Sequence, residues 1–64
     1  MKGKINNMKY SVQAKNRITK NYDHIGDSDN EYVDPFWIAG RINYLNMFEN
    51  GNYDHTDVRV VAKQ

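Results

Sequence analysis

The chain contains no cysteine. Disulfides and thiolate metal sites are therefore excluded as supports for its fold, and a reducing compartment suits it. Nor does it contain an apolar run near the length of about 20 residues that a membrane-spanning helix needs. Met1 to Asn7 is basic but leads into no apolar stretch, so no secretory leader is expected. These absences point to a cytoplasmic protein, in the host-cell cytoplasm if the source is viral, with no membrane partner. Proline occurs once, as Pro35, and glycine four times, so strong chain punctuation is confined to a few places.

What remains is short. With 64 residues there is room for one domain, 1–64, in which 1–7 reads as a flexible basic arm. A chain of this size buries only about 60% of the surface its unfolded form exposes. Stability must come from Trp37, Phe36, Phe48 and the five tyrosines, from a well-formed sheet, or from a partner. The net charge of +1 conceals an asymmetry. Lys2, Lys4, Lys9, Lys15, Arg17 and Lys20 precede the first acid, and Asp23, Asp27, Asp29, Glu31 and Asp34 then follow without a base. Two readings stand: solvated faces, or a basic strand that meets an acidic partner.

Periodicity organises the rest. Met8 to Lys15 alternates, with Met8, Tyr10, Val12 and Ala14 on one face and Lys9, Ser11, Gln13 and Lys15 on the other. That is a half-buried strand, which can extend to Ile18. Asp23 to Asn30, with Gly26 and a Gly-Asp-Ser-Asp-Asn run, reads as an exposed loop. Glu31-Tyr32-Val33 reads as a short strand pairing back on the first. Asp34-Pro35 starts a helix, with Asp accepting from the free N–H groups of the first turn. Asn50-Gly51 stops it, with Gly51 as the left-handed residue. Trp37, Ile38, Ile42, Tyr44, Leu45 and Phe48 form its apolar arc. A rival parse makes Glu31 to Ala39 a strand and begins the helix near Arg41. Thr56 to Ala62 is a second strand, with Val58, Val60 and Ala62 on one face. The fold class is α+β: a small antiparallel sheet with one helix across a face, in β-(β)-α-β order. The expected core is Tyr10, Val12, Trp37, Ile42, Leu45, Phe48, Val58 and Val60.

Few patterns carry chemistry. Asn-Tyr-Asp-His occurs at Asn21–His24 and again at Asn52–His55. Either this reflects composition in two turns, or His24 and His55 pair as metal ligands; the spacing matches no compact site. Asp27, Asp29 and Glu31 begin like a calcium loop, but Tyr32 and Ile38 stand where it needs Gly and Glu. No catalytic residue and no cofactor is assigned, since no phosphate loop or triad pattern is present. The expectation is a non-enzyme.

Binding is the better lead. Lys9, Lys15 and Arg17 share strand parity and read as one positive surface, for a protein partner or for nucleic acid. On the helix wheel Phe36, Gly40, Asn43 and Met47 cluster away from the apolar arc and read as a second contact surface. Arg41 falls inside the arc and must snorkel or pair, with an acid of the 23–34 loop as the candidate.

In size, composition and layout the chain resembles small bacteriophage host-takeover and anti-defence proteins, such as inhibitors of host RNA polymerase and anti-CRISPR proteins. These too are tiny, cysteine-free and rich in Asn, Lys, Asp and Tyr. The resemblance implies a stoichiometric binder of a host or defence-system protein. It carries over no functional residue, and the absence of strong negative charge argues against a DNA mimic. The alternatives are a nucleic-acid-binding domain and a subunit completed by its own oligomer.

Overall fold

A computed structural model describes residues 9–63. The expected basic arm, 1–7, and Met8 of the first strand lie outside the described residues. The elements are β1 (Tyr10–Asn16), β2 (Tyr22–Ser28), α1 (Pro35–Phe48) and β3 (Tyr53–Ala62). The strands form one antiparallel sheet in the order β2-β1-β3. The fold is the α+β class expected from the sequence, with the helix on one face of a three-stranded sheet.

The alternation of β1 holds. Val12 and Ala14 turn towards the helix and are fully buried, while Gln13 and Lys15 turn to the open face. Asn16 closes the strand and shapes the turn that follows. Its side-chain oxygen accepts from Ile18 N–H at 2.8 Å and from Thr19 N–H at 3.1 Å, and Lys20 takes the left-handed conformation with φ 68°. This tight return lays residues 22–28 beside β1.

Two expectations are corrected here. Most of the turn-rich segment Asp23–Asn30 is strand β2, and residues 31–33 bend into the helix instead of pairing. The physical reason is the hairpin. Once Lys20 has reversed the chain, the nearest residues pair with β1 whatever their propensity. A bulge between Val12 and Gln13 absorbs Ile25, which turns inward and is buried. The two Asn-Tyr-Asp-His copies, expected in turns, lead into the two edge strands: Tyr22 opens β2 and Tyr53 opens β3.

The longer helix parse is the correct one. Asp34 caps α1 by accepting from Phe36 N–H at 2.9 Å, and Pro35 is the first helical residue. At the other end Asn50, not Gly51, adopts the left-handed conformation, with φ 57°. Gly51 N–H then donates to Leu45 O at 3.0 Å, so the helix end is closed with an asparagine in the backbone conformation usually given to glycine.

The core is small. Val12, Ala14, Ile25 and Ile42 are buried, with Val33, Ile38, Leu45, Tyr53, Val58 and Val60 packed around them. Phe48, expected inside, is 68% exposed, and Trp37 is 43% exposed. The expected arc was too wide. Phe48 lies about 120° round the wheel from Ile42, beyond what a three-stranded sheet can cover. Trp37 reaches the sheet only with its ring tip. A Cβ built on Gly26 would lie 2.4 Å from Trp37 Cη2, so the ring rests where β2 has no side chain. Arg41 stays exposed and pairs, but with a partner other than the expected one. Its Nε donates to the main-chain oxygen of Ile25 at 2.8 Å, an acceptor the bulge leaves available, and not to an acid.

Candidate protein-binding face

Of its fourteen residues α1 contains one charged side chain, Arg41, whose Nε donates to Ile25 O while the residue stays exposed with its guanidinium 5.8 Å from the Tyr44 ring centroid. The rest of the outward surface is uncharged. Phe36 is 88% exposed, Met47 65%, and Tyr44 46%. Phe48 stacks against Tyr44 at a ring separation of 5.4 Å, with the planes tilted by 38°. Gly40 sits among them, and a Cβ added there would meet nothing within 4 Å. Tyr32, on the bend before the helix, is also exposed. Surface helices normally place polar residues outward. Here large apolar side chains lie on both flanks.

The structure brings together Phe36, Gly40 and Met47 of the expected contact surface on this outward side. Asn43 lies on the flank facing β3. There an open hollow of about 460 Å³ is lined by Ala39, Gly40, Ile42, Asn43, Asn46 and His55. The aromatic contribution of Tyr44 and Phe48 was missed because the helix wheel places both on the apolar arc expected to pack on the sheet. Their distance from Ile42 on the wheel was the available signal.

The opposite face of the sheet is polar and internally paired. Arg59 donates to Gln13 Oε1 at 2.8 Å and lies over the Tyr22 ring, 4.0 Å from its centroid. Tyr22 donates to Asp57 at 2.5 Å, and Lys15 stands 3.9 Å from the same carboxylate. Lys63 pairs with Asp27 at 2.5 Å, which holds the Asp27 carboxyl below its ordinary range. The three basic residues expected to form one surface are spread out. Lys9 precedes β1, Lys15 is near its far end beside Asp57, and Arg17 lies in the turn beyond. Lys9 and Arg17 stand roughly 25 Å apart at strand rise.

Ser11 Oγ lies 2.6 Å from His24 Nδ1, and Asp27 lies 3.5 Å from His24 Nε2. The order imitates a nucleophile, base and acid. Ser11, however, is 8% exposed, and Asp27 is already committed to Lys63. The arrangement serves to satisfy a buried hydroxyl. The histidines offered as metal ligands lie on different edge strands with β1 between them, and the described residues hold no cluster of three His, Cys, Asp or Glu side chains. Among the described residues no helix is long and apolar enough to cross a membrane. No protein-family model, no characterised protein and no solved structure matches the chain.

Proposed function

We propose that this protein is a small non-catalytic protein-binding modulator of the phage-inhibitor type, which engages a host or defence-system protein through the outer face of α1. The observation that carries this reading is the largely apolar outward surface of the helix, with Phe36 88% and Met47 65% exposed. Contiguous exposed apolar surface of this kind marks interaction sites, and aromatic residues and Met are enriched in interface cores. The composition shared with phage inhibitors supports the same class. Nucleic acid fits this face poorly because its single cation, Arg41, already gives its Nε to Ile25 O. On the open sheet face, Lys15, Arg59 and Lys63 are each engaged with a neighbouring side chain.

The test is photo-crosslinking in cells of the native host, with a benzophenone amino acid replacing Met47. A crosslinked partner protein is expected, and Phe36→Glu should abolish the product while circular dichroism stays unchanged. Persistence of the product in Phe36→Glu would refute the assignment of this face.

A further inference from the structure

Among the described residues four apolar side chains are buried, and with no cysteine the chain has no disulfide to support them. Domains of this size are marginally stable alone, and oligomerisation is one of the supports that small domains use. The residues able to enlarge the core, Phe36, Trp37, Tyr44, Met47 and Phe48, stand on the outer side of α1. Full burial of an aromatic side chain removes about 150–250 Å², so their exposed parts amount to surface on the order of 600 Å². A standard interface takes about 800 Å² from each partner. The patch is thus nearly large enough to be the centre of one.

Its layout is self-complementary. The smallest residue of the face, Gly40, and a large one, Tyr44, lie one turn apart about the middle of the helix. If two copies of α1 pack antiparallel about a two-fold axis between these positions, Tyr44 of each copy stands opposite Gly40 of the other. Phe36 and Trp37 then stand opposite the second copy's Met47 and Phe48. Each contact occurs twice, as an isologous interface requires. The bare helix surface at Gly40 admits the facing ring, and Arg41, the one charge of the helix, is tethered by its Nε to Ile25 O on the flank beside Tyr44. Asp34 and Glu49, just beyond the two helix ends, fall at the rim, where salt screens their repulsion.

We propose that in the free protein the outer face of α1 is covered by the same face of a second copy, with the helices antiparallel and crossing between Gly40 and Tyr44. This rests on the reading of that face as protein-binding. The target protein would then compete with the second copy for one surface.

Sedimentation equilibrium of the purified chain over roughly a hundredfold range of concentration tests the proposal. A monomer–dimer equilibrium is expected, tightening as salt rises. Gly40→Gln is the decisive variant. Its Cβ would meet no neighbour within 4 Å in the single copy, the rest of the flexible side chain can extend into solvent, and it replaces a poor helix former, so the monomer is expected to keep its fold. It obstructs the facing Tyr44 and should weaken the dimer roughly tenfold or more. A benzophenone at Met47 should crosslink the purified chain to a product of twice its mass. A monomer at every concentration, or a dimer indifferent to Gly40→Gln, overturns the proposal. If the purified chain is monomeric while Met47 crosslinks another protein in host cells, the second copy is wrong and the binding face stands. If Met47 crosslinks nothing in either setting, both fall.

Discussion

The hydroxyl of Tyr53 reaches over β1 to the carboxylate of Asp23, 3.1 Å away on the far edge strand. Tyr22 makes the reverse crossing on the other face, donating to Asp57 at 2.5 Å. Each edge strand thus sends a tyrosine across the central strand to an aspartate of the other, one strap per face. The two tyrosines are those of the repeated Asn-Tyr-Asp-His tetrapeptide, so the repeat has a structural use at the start of both edge strands.

Removing the straps has a definite pH signature. The Tyr22 hydroxyl is held above its ordinary value of 10.0 chiefly by its hydrogen bond to Asp57, and that of Tyr53 chiefly by desolvation and then by Asp23. A raised folded-state value means that the stabilisation is fully present below pH 10 and is lost as the pH climbs through the folded values. At pH 7, Tyr53→Phe should cost about 1 kcal/mol, a Tm decrease of about 4–8 °C. Above pH 10 the double variant Tyr22→Phe/Tyr53→Phe should lose stability less steeply than the parent. Parallel melting curves across that range would show that the straps contribute nothing.

Gly26 is required by contact, not by backbone conformation, since no described glycine has positive φ. Gly26→Ala would place a methyl 2.4 Å from the Trp37 ring carbon Cη2. The ring must leave the sheet, with a red-shifted emission and a cost towards the lower end of about 1–3 kcal/mol, because Trp37 is already half-exposed. In a Trp37→Leu background the same substitution should be nearly free. An equal cost in both backgrounds would locate the constraint elsewhere.

The two ends of the helix wheel separate core from surface. Ile42, 2% exposed, should cost about 2–5 kcal/mol as Ile42→Ala. Phe48, 68% exposed, should cost far less in the monomer as Phe48→Ala, contrary to what its place in the apolar arc suggested. Urea melts of both variants at low concentration decide it, and equal destabilisation would return Phe48 to the core.

These results show what the sequence made legible and where it stopped. The alternation of β1 and β3 and the Asp34-Pro35 helix start were readable because each is a local rule. β2 was not, because Tyr22 to Ser28 looks like a loop and becomes a strand through its pairing with β1. The inward edge of the helix was readable at Ile42 and Leu45, but its outer limit was not. How far round the wheel burial extends depends on the width of the sheet, three strands here, which the helix sequence does not encode. The same ambiguity hid half of the binding face, since Tyr44 and Phe48 are apolar whichever way they point. Arg41 was correctly expected to find a partner, yet its acceptor, Ile25 O, lies at a bulge of β2 that the helix sequence does not encode.

Asn46 offers the sharpest test of how α1 is joined to β3. Its side-chain oxygen accepts from Tyr53 N–H at 2.9 Å, and its Nδ2 donates to Tyr53 O at 3.0 Å. The amide therefore satisfies both main-chain groups of the first β3 residue, as a neighbouring strand would. Asn46→Ala leaves both without this partner at a half-buried position and should cost about 1–3 kcal/mol. Asn46→Asp separates the two bonds. An ionised carboxylate still accepts from Tyr53 N–H but cannot donate to Tyr53 O, and it repels that oxygen instead. At pH 7, Asn46→Asp should therefore melt well below the parent. Below the carboxyl pKa the protonated side chain regains a donor, so the gap between Asn46→Asp and the parent, measured at the same pH, should narrow as the solution is acidified. Comparing the two proteins at matched pH removes the acid sensitivity they share through Asp27 and Lys63. If the gap stays constant from pH 7 to pH 3, the donation to Tyr53 O has no weight, and the amide acts through its oxygen alone.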